Sequence, residues 1–269
     1  MSRFRRYALH RYAVRSVVAL TILIASTYVV YKLFEDPANQ FFGQTVVSGP
    51  TDQRVVALTY DDGPNPPYTD AILRVLKKER VHATFFVVGR AVEAYPATVR
   101  SIVRNGNALG NHTWDHMHLV VLTRAALRSE VRRTDDALWK VARIRPRFMR
   151  PPFGARDWIV LDEMKKLGYT VVMWSVPLPK DWEYPSSQVI AKRVLSKVKD
   201  GSIIVLHDGN RGQLCALRKL NTHLCDRTAD IEATRLIVEA LRARGFRFVT
   251  IPELLALHRA THKSGRGGE

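Results

Sequence analysis

The sequence predicts an α/β fold, a distorted (β/α) barrel of about seven parallel strands, preceded by one N-terminal transmembrane helix. Two observations predict the barrel. Short β-rich runs alternate with helical patterns along most of the chain, which is typical of a parallel sheet with crossover helices. Polar residues suited to catalysis follow one strand run after another, as they do at the carboxyl rim of a parallel barrel. The transmembrane helix is predicted by an apolar run that follows a basic N-terminus.

The N-terminal region carries five arginines and no acidic residue in its first fifteen positions. Residues 17–34 follow as an apolar run in which Lys32 is the single charge. This run is just long enough to span a bilayer, and the arginines predict that residues 1–16 stay cytoplasmic. A cleaved signal peptide is the alternative, although Ala25-Ser26 makes a poor cleavage site. An uncleaved anchor gives a membrane-bound protein and a cleaved one a secreted protein, and both place the rest of the chain outside the cytoplasm.

The net charge of +17 is spread along the chain beyond the N-terminus rather than clustered. A spread positive charge favours attraction to anionic lipid or anionic envelope polymers over sequence-specific binding. The sequence contains no zinc-finger spacing and no aromatic RNA-binding run, so we expect no nucleic-acid partner.

The order of the elements follows from local pattern. Residues 35–53 lack helical periodicity and contain prolines and glycines, which predicts a linker that holds the domain away from the membrane. Residues 54–257 form the predicted domain, and 258–269 form a polar tail. Apolar, β-branched runs predict strands at 55–60, 83–88, 108–111, 148–150, 169–174, 202–206 and 247–249. Amphipathic periodicity predicts helices at 71–80, 96–105, 123–141, 158–167, 187–199 and 231–244.

Four separated fragments carry the residues suited to chemistry: 59–64, 112–116, 150–153 and 206–208. Each has a structural alternative. Asp61-Asp62-Gly63-Pro64 has the composition of a turn, and Arg150 and His207 are compatible with a surface charge and a buried strand-end histidine. His112 and His116, four residues apart, are able to bind one metal from a single helical turn or simply to pack. Their joint occurrence at the ends of strands favours one common site.

These fragments resemble the motifs of the polysaccharide deacetylase family with the NodB-homology domain, carbohydrate esterase family 4, over residues 54–257. T-F-D-D-G-P corresponds to 59–64 with Tyr60 for Phe, and H-S/T-x-x-H to 112–116. R-x-P-Y corresponds to 150–153 with Phe153 for Tyr. L-x-H has Val205 in the leucine position, because Leu206 directly precedes His207. The fourth motif keeps Asp181 and Trp182 but lacks its first aspartate.

The resemblance implies a metal ion held by Asp62, His112 and His116. Zn²⁺ is the expected metal, and Co²⁺ and Ni²⁺ suit the same ligand set. Asp61 is then expected to act as the general base toward a metal-bound water, with Arg150 positioning it and keeping it ionised.

The resemblance also implies how the amide is bound and broken. His207, oriented by Asp181, is expected to protonate the leaving amine. The backbone N–H of Phe153 is expected to help polarise the amide carbonyl. Trp182 and Leu206 are expected to form the pocket for the acetyl methyl group.

The predicted function is a membrane-anchored, metal-dependent hydrolase that removes N-acetyl groups from N-acetylglucosamine residues of an envelope polysaccharide, peptidoglycan-like or chitin-like, and releases acetate. Two alternatives stay open: an O-deacetylase of acetylated xylan-type polysaccharide, and a non-catalytic carbohydrate-binding module on the same fold. The two cysteines of the chain, Cys215 and Cys225, are predicted to form a disulfide if the domain is extracytoplasmic, the alternative being two free thiols. His118 is expected to be structural or solvent-exposed.

Overall fold

The computed structural model describes residues 3–214 and 225–264. Its centre is a seven-stranded parallel sheet in the order β5-β4-β3-β2-β1-β6, with β7 also paired to β1. The prediction of about seven parallel strands is therefore confirmed, and every predicted strand position contains a strand. The strands are β1 Val55–Asp61, β2 Thr84–Val87, β3 Ala108–Asn111, β4 Phe148–Met149, β5 Thr170–Val171, β6 Ser202–His207 and β7 Arg247–Phe248.

Nine α-helices occur in the described residues, and six of them match the predicted crossover or C-terminal helices in position. The short helix α3 was not predicted, and the last helix extends through residues predicted as a polar tail. The helices are α1 Arg3–Phe34, α2 Tyr68–Lys78, α3 Gly89–Ala94, α4 Pro96–Arg104, α5 Arg124–Ala142, α6 Trp158–Lys166, α7 Ser187–Leu195, α8 Thr228–Ala243 and α9 Ile251–Ser264.

Residues 46–48 close the sheet into a barrel between β5 and β6. Val46 forms a parallel bridge with Val172, directly after β5, and Ser48 forms an antiparallel bridge with Ser202, the first residue of β6. The backbone N–H of Gly49 also donates to the carbonyl of Gly201 at 2.8 Å. This part of the predicted linker is therefore bonded to the barrel, because its backbone groups replace the missing β5–β6 ladder.

Strand β1 passes through the middle of the sheet and divides the core into two clusters. Val56, Leu58 and Tyr60 pack in one cluster with residues of helices α2, α7 and α8. Val55 and Ala57 pack in the other cluster, on the opposite face of the strand. Successive side chains of a strand point to opposite faces, so Thr59 and Asp61 continue the second face toward the carboxyl end of the sheet.

Helix α1 stands apart from this core. It contains a candidate membrane span at His10–Phe34, 25 residues long, whose most apolar 18-residue window has a mean hydropathy of 1.9 and no buried residue. The hydrocarbon core of a bilayer requires about 20 apolar helical residues. The helix therefore has the length and composition of a membrane anchor or of a signal sequence.

The predicted disulfide falls partly outside the described residues. Cys225 is disulfide-bonded, whereas Cys215 lies outside the described part of the chain. The pairing of Cys215 with Cys225 therefore stays a prediction.

Candidate active site

The end of strand β1 provides the first two site residues. Asp61 is the last residue of the strand. It is paired with Phe86 of β2 on one side and with His207 of β6 on the other. Asp62 follows with a φ of 78°, a left-handed conformation that aspartate tolerates better than most residues. The change of backbone direction aims the two neighbouring carboxylates at different partners, Asp61 at an arginine and Asp62 at two histidines.

Asp62, His112 and His116 converge on one point. One ligand atom from each residue lies within 4.8 Å of the others, and all three side chains are buried. The Oδ1 atom of Asp62 is 3.4 Å from Nε2 of His112 and 3.0 Å from Nε2 of His116. The structure thus brings together the three residues that the sequence predicted as metal ligands.

The segment that carries the two histidines is a loop, and the helical turn considered from their spacing is wrong. His112 follows β3 directly, and Thr113 and His116 have left-handed φ values of 67° and 56°. Two side chains fix the loop. Asn111 Oδ1 accepts a hydrogen bond from the backbone N–H of Thr113 at 2.8 Å. Glu130 Oε2 accepts hydrogen bonds from the backbone N–H groups of Trp114 and Asp115 at 3.0 and 2.9 Å. Two left-handed residues fold the loop back and bring the imidazoles together.

The hydrogen bonds around these three side chains fit a metal ion. Nδ1 of His112 is 2.7 Å from the carbonyl oxygen of Arg150. A carbonyl only accepts, so Nδ1 carries the proton and Nε2 keeps a lone pair for a cation. Asp62 Oδ1 and His116 Nδ1 are buried atoms without a hydrogen-bond partner among the described residues. Buried polar atoms without partners are costly, and a cation bound by this Asp-His-His set would satisfy Oδ1 of Asp62.

Electrostatics support the same assignment. Burial alone would raise the pKa of Asp62, but His116 and His112 hold it well below the usual aspartate range. Burial lowers the pKa of His116, although Asp62 opposes the shift. An ionised carboxylate beside a neutral imidazole is the state that binds a divalent cation.

Asp61 lies beside a fully buried arginine. Arg150 Nη1 donates to Asp61 Oδ1 at 2.6 Å and to Thr59 Oγ1 at 2.8 Å. The same guanidinium donates through Nε and Nη2 to the carbonyls of Val172 and Met173, at 3.2 and 3.0 Å. Four acceptors therefore fix Arg150, and Arg150 in turn fixes the carboxylate of Asp61 in one orientation.

His207 lies at the end of β6 and is paired with a buried carboxylate. Its Nδ1 is 2.9 Å from both oxygens of Asp181, and its backbone N–H donates to Asp181 Oδ2 at 2.8 Å. Burial alone would lower the pKa of His207, but Asp181 raises it to about 9. The ring of Trp182 meets the imidazole edge-on at 5.5 Å. His207 is therefore protonated at neutral pH with its Nε2 side directed away from Asp181.

Phe153 covers the metal-ligand side of the site. Its ring lies edge-on to His116 at 4.7 Å and stacks on His118 with a centroid distance of 3.8 Å. His118 thus packs against Phe153 at the rim, which agrees with the structural role expected for it. The backbone of Phe153 has a left-handed φ of 61°, and the residue lines the cavity that contains the metal-ligand candidates.

Leu206 does not line the site, which corrects the prediction. Its side chain is fully buried in the core cluster that contains Val56, Leu58 and Tyr60. The neighbouring Val205 points to the opposite face and lines the cavity beside His207. Side chains alternate along a strand, so the residue two positions before the histidine shares its face. That residue is Val205, which occupies the leucine position of the L-x-H motif.

A cavity of about 1090 Å³ joins these residues. Its walls include seven of the ten predicted site residues, whereas Arg150, Asp181 and Leu206 lie behind the wall. The seven are Asp61, Asp62, His112, His116, Phe153, Trp182 and His207. Asp61, His207 and the Asp62-His112-His116 cluster therefore open into one space.

Sequence reasoning missed a second group of buried acids behind the site. Asp208 accepts the Thr69 hydroxyl at 2.6 Å, and burial raises its pKa to about 7. Asp230 contacts Asp181, and burial and then that neighbouring charge raise its pKa well above the usual range. Arg227 Nη1 lies 3.9 Å from Asp230. Asp208 could have been noticed because it directly follows His207 in the sequence. Asp230 could not, because no sequence pattern distinguishes a buried aspartate on α8 from an exposed one.

Comparisons with known proteins agree with this geometry. The model of the family described as polysaccharide deacetylase matches residues 48–172. A peptidoglycan-N-acetylglucosamine deacetylase of Bacillus cereus is 32% identical over 207 residues, which cover 77% of this chain and 90% of that protein. The peptidoglycan-N-acetylmuramic acid deacetylase PdaC of Bacillus subtilis is 35% identical, and the match covers 75% of this chain but only 39% of PdaC.

The fold agrees as well. The crystal structure of the Bc1960 peptidoglycan N-acetylglucosamine deacetylase superimposes with a TM-score of 0.70 at 32% identity, covering 78% of this chain and 92% of that structure. The barrel, the motif residues at its carboxyl rim and a relative matched over nine-tenths of its length lead to one assignment. This chain belongs to the polysaccharide deacetylase family, carbohydrate esterase family 4.

Proposed function

We propose that this protein is a metal-dependent polysaccharide N-deacetylase that hydrolyses N-acetyl groups of N-acetylglucosamine residues in an envelope glycan, peptidoglycan-like or chitin-like. One observation carries the proposal. A metal-ligand cluster, Asp62 with two histidines, opens into the same cavity as a carboxylate held by Arg150 and a protonated histidine held by Asp181. This arrangement suits amide hydrolysis, because one group can take a proton from water and another can supply one to the departing nitrogen.

Zn²⁺ is the metal that we propose for Asp62, His112 and His116, and Co²⁺ or Ni²⁺ suits the same donors. When bound, the cation would supply a Lewis acid that polarises the amide carbonyl and increases the acidity of a water molecule. His112 is prepared for this role because the Arg150 carbonyl fixes its tautomer.

Asp61 takes the proton from the attacking water in this proposal. Its carboxylate opens into the cavity, and Nη1 of Arg150 donates to it at 2.6 Å. Charge-assisted hydrogen bonds of this kind hold a carboxylate more firmly than neutral ones. Arg150 is thus a positioning residue: it lies behind the wall and acts through Asp61.

His207 gives a proton to the departing nitrogen. Water oxygen adds to the carbonyl carbon, the carbon–nitrogen bond breaks, and the proton from His207 converts the leaving group into a free amine while acetate forms. Asp181 keeps His207 protonated and oriented. The backbone N–H of Phe153 would stabilise the charge that develops on the carbonyl oxygen, and Trp182 and Val205 would enclose the acetyl methyl.

We also propose that helix α1 is an uncleaved membrane anchor, with residues 1–16 in the cytoplasm and the catalytic domain outside. The five arginines before the apolar segment support this orientation, since positive residues flank the cytoplasmic end of membrane helices. The net charge of +17 would attract the domain to anionic envelope polymers or lipid.

The function is tested by acetate release from three substrates at equal acetyl concentration: N-acetylated peptidoglycan strands, chitin oligomers and acetylated xylan. We expect release from the first two, loss of release with a chelator, and recovery with Zn²⁺. The Asp61→Asn variant is the negative control. Preferential release from xylan would favour the O-deacetylase, and binding to the glycans without release from any of them would favour a carbohydrate-binding module.

A further inference from the structure

The end of the apolar helix is part of the cavity wall. Residues 31–38, which we call the helix exit, comprise the last turn of α1 and the turn that follows it. Six of them line the cavity that contains Asp62 and His207: Tyr31, Lys32, Glu35, Asp36, Pro37 and Ala38. The approach is close, since a side-chain carbon on Gly154, next to Phe153, would lie 3.1 Å from the carbonyl oxygen of Glu35.

A buried arginine fastens the helix exit to the barrel. Arg156 is 1% exposed, and its Nη2 lies within hydrogen-bonding distance of the carbonyls of Asp36, Pro37 and Asn39, at 2.9, 3.2 and 2.6 Å. Its backbone N–H donates to the carbonyl of Phe34 at 3.0 Å, and its Nη1 to that of Gly154 at 3.0 Å. One side chain thus joins the end of α1 to the segment that carries Phe153.

The turn itself is closed by local hydrogen bonds. Asn39 Nδ2 donates to the carbonyls of Lys32 and Leu33 at 3.0 and 2.7 Å, which satisfies acceptors that every helix C-terminus leaves free. Lys32 forms an ion pair with Asp36. The beginning of the predicted linker is therefore hydrogen-bonded both to the helix and to the barrel.

If α1 is a membrane anchor, the position of the charges along the chain predicts where this wall lies relative to the bilayer. No charged residue lies between Arg15 and Lys32, and a hydrocarbon core of about 30 Å takes up about 20 helical residues at 1.5 Å each. Tyr28 and Tyr31 precede Lys32, and tyrosines are enriched at the membrane interface. If α1 spans the bilayer, the helix exit lies in the headgroup layer, and the cavity opens there.

We infer that the site acts on N-acetylated glycans presented at the membrane surface, lipid-linked glycans in particular, with the helix exit as one wall of the binding cleft. This inference rests on the proposed deacetylase function and on α1 as an anchor. A glycan carried on a lipid headgroup would enter the cleft between the helix exit and the metal ligands. Glycan held far from the membrane would lie beyond the reach of a site that is fastened in this way.

The experiment uses the full chain reconstituted with Zn²⁺ in lipid vesicles. The probe is a tetrasaccharide of N-acetylglucosamine in three forms: free, coupled through its reducing end to phosphatidylethanolamine by a short link, and coupled to the same lipid through a long poly(ethylene glycol) spacer. Both lipid-linked forms share the membrane with the enzyme, so a comparison of short link with long spacer separates presentation at the surface from co-localisation.

We expect the short-linked probe to be deacetylated at least about tenfold faster than the long-spacer probe at equal surface density, because the long spacer dilutes the sugar away from the headgroup layer. In Arg156→Gln the helix exit loses its fastening, and the preference should fall toward one. Arg54→Gln is the matched control, since Arg54 is exposed at the opposite end of β1 and donates to the carbonyl of Arg244; its preference should equal that of the unsubstituted chain.

The unsubstituted chain decides the inference even if Arg156→Gln does not fold. Equal rates on the short-linked and long-spacer probes, with normal acetate release from the free tetrasaccharide, would overturn the inference and leave the deacetylase function standing. A preference that persists unchanged in a folded Arg156→Gln protein would overturn the role of the helix exit. Absence of release from all three probes would overturn the proposed function and this inference with it.

Discussion

Replacing Asp181 with asparagine should change how activity depends on pH, not only how large it is. Both carboxylate oxygens of Asp181 lie 2.9 Å from Nδ1 of His207, and the substitution removes their charge while keeping the size of the side chain. Against burial, this carboxylate raises the pKa of His207 from 6.5 to about 9. Without this charge, burial lowers the pKa and only the smaller effects of Asp62 and Asp61 oppose it, so the pKa should fall back toward 6.5.

The magnitude follows from this difference. A shift of one pKa unit corresponds to about 1.4 kcal/mol, so Asp181 stabilises the protonated imidazole by roughly 3 kcal/mol. If His207 must be protonated to release the amine, activity is present below its pKa and is lost as the pH rises through that value. At pH 8 about nine-tenths of the histidine is protonated in the unsubstituted enzyme and roughly 3% in the variant, which predicts a loss of about 30-fold.

The assay is kcat/KM for acetate release from an N-acetylglucosamine tetrasaccharide between pH 5.5 and 10, with Zn²⁺ present throughout. The alkaline limb should move down by at least about two pH units, and the two enzymes should have similar activity near pH 6. Asp162→Asn is the control, because Asp162 is a surface carboxylate on α6 paired with Arg124 at 2.8 Å; its profile should not change. A loss of equal size at every pH would refute the reasoning and leave Asp181 with an orienting role alone.

Three further predictions concern the paired aspartates, Arg150 and the two cysteines. Asp61→Asn should keep bound Zn²⁺ but remove most turnover, whereas Asp62→Ala should lose the metal as well; metal analysis beside acetate release separates the two, and near-normal turnover of Asp61→Asn would exclude it as the base. Arg150→Met should lower the free energy of unfolding by about 3–5 kcal/mol, because it leaves the Asp61 carboxylate buried without its partner. Denaturant unfolding measures this loss, and adding Asp61→Asn should restore part of it. Intact mass after thiol alkylation should show no free thiol if Cys215 pairs with Cys225, and two labelled thiols without reduction would exclude the disulfide.

Much of the fold was predictable because local pattern and burial coincide in the strands. The run that forms β1 is buried along its whole length, and a continuous apolar run before Asp61 is what a central parallel strand requires. The closing segment at 46–48 was not predictable in the same way. It contributes isolated bridges rather than a strand, and two bridges leave no periodicity in the sequence.

The site was predictable in its members more than in its geometry. Residues that directly follow parallel strands converge at one rim of a barrel, independently of loop conformation. Asp62 and His112 follow β1 and β3 in this way, so their place in the site was predictable. The loop that brings His116 to them depends on left-handed residues fixed by Asn111 and Glu130, partners that only tertiary structure supplies. The same limit applies to Asp230, whose burial is a property of packing and not of its neighbours in sequence.

The closing segment at 46–48 has a consequence for the order in which the protein folds. These residues are synthesised before any strand of the sheet, yet their partners Val172 and Ser202 lie far downstream. Contacts between such distant residues form slowly, because a long loop must close before they contribute. The barrel therefore cannot close until β6 has been synthesised. Until then the outer edge of β5 has no partner, so this domain should depend on chaperones more than a domain whose sheet closes through neighbouring strands.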